Sequence, residues 1–476
     1  MFDNDSVSVS PKHVNIIFWL VVCLFVLNFI VQNFMGGADY DLNSSMMFGA
    51  FALIVLGLLV TFFNFQLSYI LFIFVIPWVK LSIPNMKFFF TVGDAYLIIL
   101  IVILFGRLIT GREKRPISSF LDKLIFFFIF MSLVSFAGSR NLAKGMAEIT
   151  QTLEYFVFCY YLSLIVISKK NILDSLIQAL IMSSILLSLY SIYQYVSLGG
   201  GEIRIYGPIG HFNGTGTYHA MMIPFIFNLA VGRKEQRAKL FYYLALALNI
   251  IVIGLTFSRG AWIGTIVGIV LSAQIRGMVQ FLKVFSLIIL GLLLLAFIAP
   301  PRYIGRIYSI PRIEDTSSKN HLRQYEIAYE TLTTYPLFGV GLANNSYHVI
   351  EKYDEASNGE IHNLYLHIGS ERGILAMCFL LMILGSFYIN IIRRIGKTTN
   401  TYYHSIYVAL FSTMVSYGMA NIFAYQLIRG LGLLFAVFLA MYPATIYIED
   451  NEPASAEWAE MLSTLDIRHT PLEMGL

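Results

Sequence analysis

Arg259 sits in the stretch Thr256-Phe257-Ser258-Arg259-Gly260-Ala261-Trp262, where two apolar runs meet with almost no loop between them. An ionisable residue at membrane depth costs at least about 2.5–3.5 kcal/mol and is a functional candidate by default. One reading is an interfacial arginine that snorkels to lipid headgroups beside Trp262. The other is a guanidinium that binds an anion in a cavity. Arg323 lies in a polar segment next to Gln324 and near Glu326, and by itself reads as a solvated face. His362 stands in Glu360-Ile361-His362-Asn363-Leu364-Tyr365-Leu366-His367, where a polar segment gives way to an apolar one. His367 and Glu371 follow at helical spacing, so one can orient the other. A metal reading for His362, His367 and Glu371 lacks a further ligand cluster. A glycine-rich loop at 198–219 carries Arg204, His211 and Asn213 among aromatic residues. Glycine lets backbone approach a ligand, and Asn, His and aromatic side chains suit sugar hydroxyls and faces. Such a loop also serves as an ordinary connection.

These residues must be held by a membrane-embedded scaffold. The chain has 476 residues, of which 57% are hydrophobic and only 13% charged. Its mean hydropathy is +0.71. Soluble domains carry roughly 25% charged residues, so the polar surface here is too small to cover a water-soluble globule. The composition excludes a cytosolic enzyme, a disordered chain and a disulfide scaffold. Cys23, Cys159 and Cys378 all lie inside apolar runs. The runs are continuous, which excludes a β-barrel.

The expected fold is an all-α polytopic membrane protein of about 12–14 transmembrane helices with one large, partly helical external loop. Spans are predicted near 14–33, 45–63, 67–82, 91–109, 120–137, 151–168, 173–196, 217–232, 239–257, 260–275, 281–299, 373–392, 402–421 and 428–447. The third is short, contains Pro77 and Lys80, and suits a re-entrant segment. Residues 1–299 thus form helices with short loops, 300–370 the external loop, 371–447 the last helices and 448–476 a tail. A helix is predicted over 318–333, with Leu322, Tyr325, Tyr329 and Leu332 at three- and four-residue spacing. Five clusters of Lys and Arg fall on alternate loops, around Arg107, Lys169, Arg233, Arg276 and Arg393. The positive-inside rule places that side and both termini in the cytoplasm and the long loop outside. No phosphate-binding loop for ATP, C-x-x-C pair or H-E-x-x-H signature occurs. Nucleic-acid binding has no support, because the basic residues hug one membrane face.

Four stretches, in this order around one long loop, resemble the O-antigen ligase and O-antigen polymerase superfamily of bacterial polysaccharide assembly. They are Gly210-His211-Phe212-Asn213; Ser258-Arg259-Gly260-Ala261-Trp262-Ile263-Gly264; Arg323 followed by Pro336-Leu337-Phe338-Gly339-Val340-Gly341; and His362-Asn363-Leu364-Tyr365-Leu366 followed by Glu371-Arg372-Gly373. Phe212 stands where the family often has proline. The resemblance implies transfer of a glycan from an undecaprenyl-diphosphate carrier to a sugar hydroxyl, at the outer face of the bacterial inner membrane. It implies no metal and no cofactor. The acceptor is another carrier-linked repeat unit in polymerases and lipid A–core in ligases, and a chain-length regulator is a candidate partner. On this resemblance Arg259 and Arg323 are assigned to the diphosphate and His362 to the acceptor hydroxyl. Arg204, His211, Asn213 and Asn363 are assigned to substrate contact. Polymerisation of O-antigen, capsule or exopolysaccharide units is favoured over ligation. A different class, a flippase for lipid-linked oligosaccharide, would suit the many spans, but related halves are not evident. A polyprenyl-phosphate sugar transferase using Asp39 or Asp41 is a further alternative.

Overall fold

The computed structural model describes residues 64–79, 91–113, 118–201, 203–233, 235–298, 316–353 and 360–452. The first two predicted spans, the acids Asp39 and Asp41 and most of the tail lie outside these residues. In chain order the helices are α1 (Phe65–Val75), α2 (Val92–Ile109), α3 (Asp122–Phe136) and α4 (Leu142–Val166). Then come α5 (Lys170–Ser197), α6 (Phe212–Gly232), α7 (Gln236–Thr256), α8 (Arg259–Ile275) and α9 (Met278–Ile298). The rest are α10 (Thr316–Thr334), α11 (Asn345–Tyr353), α12 (Leu364–Ile395), α13 (Thr401–Ala420) and α14 (Arg429–Asn451). Six of them, α2, α4, α5, α7, α12 and α14, are long and apolar enough to cross a membrane by length and composition. The protein is a helical, polytopic membrane protein.

Where the prediction and the structure part, the reason is local. α1 has 11 residues, a length of about 16 Å at 1.5 Å per residue, short of the ~30 Å hydrocarbon core. It stops at Ile76-Pro77, because proline cannot supply the next helical N–H. α4 begins at Leu142, nine residues before the predicted span, since its first turns carry Lys144 and Glu148 and read as polar. α10 covers the predicted 318–333 but turns a different face inward. Leu322 and Tyr329 are 43% and 67% exposed, whereas Gln324, Ile327, Ala328 and Thr331 are buried. α10 packs on α12, and its covered face mixes Ile327 and Ala328 with Gln324 and Thr331. α11 has no counterpart in the prediction.

Lipid offers apolar side chains no net gain from clustering, so helices associate through close packing of small residues and through polar contacts. α8 shows the first. Gly260, Gly264 and Gly268 recur every four residues along the face turned to α13 and its C-terminal loop. A Cβ on Gly264 would lie 2.6 Å from the Ser416 carbonyl oxygen, so only glycine lets the two backbones approach. Of the six long apolar helices α14 is the most enclosed, with 83% of its apolar window buried. α2 instead turns Ile98, Val102 and Phe105 outward, where lipid would meet them.

At one end of the bundle the basic clusters meet acids from the end of α14. Lys170 Nζ lies 2.7 Å from Glu452, and Arg394 lies 2.6 Å from Glu449 and 2.5 Å from Asp450. Arg276 donates to the Asn228 side chain and carbonyl at 3.1 and 3.0 Å. The α4–α5 and α12–α13 junctions are thus both held to the end of α14, and the α8–α9 junction is held to α6. The stretches around His211, Arg259 and His362 gather around the α7–α8 junction, and Pro336–Gly341 lies across α12.

Candidate active site

The α7–α8 junction is built tightly. Phe257 closes α7 in the left-handed conformation, φ 52°, where glycine is the usual residue. That backbone costs an L-residue on the order of 1–2 kcal/mol, and burial of the ring, 1% exposed, offsets it. Arg204 serves this turn. Its Nε donates to the Thr256 carbonyl at 3.0 Å and a terminal nitrogen to the Phe257 carbonyl at 3.4 Å. Its guanidinium also lies 3.3 Å from the centroid of the Phe212 ring. The last carbonyls of α7 are thus satisfied by an arginine, which makes Arg204 a brace between α6 and α7. Asn213 is a second brace, since its side-chain oxygen accepts from the Ser258 hydroxyl at 3.0 Å. His211 caps α6, its Nδ1 accepting from the Asn213 amide at 3.2 Å. Arg259 follows at the first position of α8, half-buried.

α10 and the start of α12 close over this junction. Tyr325 on α10 donates to the Ile422 carbonyl at 2.6 Å, in the α13–α14 loop. Gln324 accepts from the His362 amide at 3.1 Å. Asn363 caps α12, accepting from the Tyr365 and Leu366 amides at 3.0 Å. These bonds set the His321 ring 5.5 Å from the His362 ring. Arg259 is close enough to His321 to depress its protonation, and His362 likewise depresses His211. The structure therefore brings Arg259, His211, His321 and His362 to one place. Burial first, then His362 and Arg259, pushes the His321 imidazole down to about 4. Burial also pulls His362 below its ordinary value, with Glu360 opposing.

Arg323 is placed differently. It lies two residues from His321 but on the other face of α10. There it pairs with Glu326 at 3.3 Å and sits over the Tyr353 ring at 5.3 Å, with its side chain 41% exposed. An exposed ion pair of this kind is worth at most about 1 kcal/mol, so a stronger anion could draw the guanidinium away.

Behind His362 lies a buried ionic cluster that the sequence only half revealed. His367 Nε2 is 3.4 Å from Glu371, which bears out the orienting contact their spacing suggested. The His367 ring stacks on Tyr425 at 3.9 Å. Arg372 reaches Glu148 of α4 at 3.5 Å, the Ser132 hydroxyl at 3.0 Å and the Thr152 hydroxyl at 3.2 Å. Glu148 escaped notice because it is remote in sequence and lies in a polar turn. Among the described residues, no three His, Cys, Asp or Glu side chains gather as metal ligands.

The two ends of this motif meet at Gly373, where α12 breaks with φ 84° and ψ 170°. The segment Pro336–Gly341 lies across the break. The Ile374 amide donates to the Pro336 carbonyl at 2.7 Å, and the Val340 and Gly341 amides donate to the Ser370 and Glu371 carbonyls at 2.9 and 3.1 Å. A Cβ at Gly373 would lie 2.1 Å from the Leu337 carbonyl oxygen. Gly373→Ala is therefore expected to destabilise the protein by at least about 2 kcal/mol, combining left-handed strain with overpacking. The check is a lowered melting temperature of the purified protein in detergent.

Fold and site together define a polytopic helical membrane protein with basic and imidazole side chains concentrated around one interhelical turn. Within it, residues 244–381 match the model of the O-antigen ligase family. That stretch runs from α7 into α12 and holds Arg259, His321, Arg323 and His362. It bears out the O-antigen ligase and polymerase resemblance. Among curated proteins, none matches the chain.

Proposed function

We propose that the protein is a glycosyltransferase of the bacterial inner membrane. It transfers a glycan from an undecaprenyl-diphosphate carrier to a sugar hydroxyl at the outer face, with both termini cytoplasmic, and it polymerises repeat units. The observation that carries this reading is the grouping of Arg259 with His321 and His362, inside the stretch that matches the ligase family. The acceptor oxygen bonds to the anomeric carbon as the bond from that carbon to the diphosphate oxygen breaks. The leaving diphosphate keeps the bonding electrons, and the acceptor proton passes to His362. Direct attack inverts the anomeric centre. Negative charge grows on the diphosphate as the bond lengthens, so a fixed guanidinium stabilises the transition state more than the ground state. Arg259 supplies it from the start of α8. Arginine suits a phosphate through its planar fork of donors. The diphosphate bond carries the energy, so ATP is not required.

The chain ladder of a deletion strain tests the polymerase assignment. The expected result is loss of long glycans while single repeat units still reach their acceptor. Complete loss of attached glycan, with long carrier-linked chains accumulating, would assign ligation instead.

A further inference from the structure

We propose that His321 is the acceptor-positioning residue of this site, its imidazole holding a hydroxyl of the acceptor sugar while His362 takes the proton of the attacking one. The proposal rests on the glycosyltransferase reading and adds a residue that the sequence motifs did not contain.

The geometry comes first. His321 Nδ1 is buried with no hydrogen-bond partner. A buried polar atom left so costs on the order of 1–3 kcal/mol, and one in a native structure calls for an explanation. Here a partner arriving with substrate supplies it. The backbone that carries the ring is held by the next turn of α10. Gln324 holds the His362 amide and Tyr325 holds the Ile422 carbonyl. The two imidazoles lie with centroids 5.5 Å apart, close enough for one acceptor sugar to offer a hydroxyl to each.

Charge then chooses the ligand. Burial, His362 and the cation of Arg259 all disfavour protonation of His321, so it is neutral at working pH. A neutral imidazole has one donor and one acceptor nitrogen, which matches a hydroxyl group. A diphosphate offers acceptors only and is served by guanidinium. A base held near 4 would also drive proton transfer weakly, which leaves that task to His362.

The test uses the full-length protein in nanodiscs, with undecaprenyl-diphosphate-linked repeat unit as donor and a soluble repeat-unit oligosaccharide as acceptor. His321→Ala is expected to raise the acceptor KM about tenfold, the value of one hydrogen bond near the upper end of its range, with the donor KM unchanged. His321→Asn, whose amide can occupy the Nδ1 position, is expected to recover most of that loss. Equal impairment by Ala and Asn, a parallel rise in both KM values, or an unchanged acceptor KM would each overturn the proposal. A wild-type protein that never consumes donor would instead reject the glycosyltransferase reading beneath it.

Discussion

Arg259→Ala is expected to lower turnover of carrier-linked donor by about 10²–10³-fold, the usual loss when one fixed donor to a developing anion is removed. The effect should fall on kcat more than on donor KM, because the interaction strengthens as the diphosphate departs. Arg259→Lys should restore only part of the loss, since an ammonium keeps the charge and loses the planar fork. Arg259 is half-buried at the helix start, and the packing of α8 on α13 depends on Gly260, Gly264 and Gly268 instead. Arg259 also makes contacts of its own within the protein, so the melting temperature is measured beside the kinetics, and a kcat loss larger than any loss of stability assigns the residue to the chemistry. Turnover within about threefold of wild type would be far below the loss expected of such a donor and would remove Arg259 from the mechanism.

The second large effect is at His362. Its substitution by alanine is expected to cost about 10²–10⁴-fold, the range for a positioned general base. The pH profile gives an independent signature. A base works only when unprotonated, so activity should fall as pH drops through the His362 pKa. Burial sets that pKa below 6.5, His367 lowers it further and Glu360 raises it. The acid limb of kcat/KM should therefore lie below pH 6.5. Glu360→Gln removes the one influence that favours protonation and should move that limb to still lower pH. A limb that moves to higher pH, or that persists in His362→Ala, would assign the titration to another group.

Much of this site is legible in the sequence, and the gaps have physical causes. Arg259 stands out because a charge between two apolar runs needs an explanation. His362 and Asn363 stand out because they begin an apolar helix, and Asn363 does cap it. Arg204 and Asn213, expected at the substrate, lie beside the α7–α8 turn. Both are engaged in holding α6 against the α7–α8 turn. His321 was invisible for a general reason. A single histidine on a polar helix looks solvated, and only the register of α10 turns it toward Arg259. That register is itself unreadable from apolar spacing, because the covered face holds Gln324 and Thr331 while Leu322 and Tyr329 stay exposed. The break at Gly373 was equally hidden. It depends on the Pro336–Gly341 segment lying across α12, a contact between segments far apart in the chain.

The buried cluster of His367, Glu371, Arg372 and Glu148 explains why the motif continues past His362. It ties α12 to α4 through Arg372 and Glu148, and to the Pro336–Gly341 segment through the Glu371 backbone. His367 and Glu371 are both buried, and removing one partner of a buried ion pair costs about 3–5 kcal/mol, since the other charge is left without compensation. The cluster thereby fixes the start of α12, and with it the position of His362.

The most direct measurement of the central claim is product analysis of the purified protein in proteoliposomes with undecaprenyl-diphosphate-linked repeat unit. The predicted result is extended glycan together with released undecaprenyl diphosphate, both lost in Arg259→Ala and His362→Ala. Movement of the glycolipid across the bilayer with its anomeric bond to phosphate intact would contradict it.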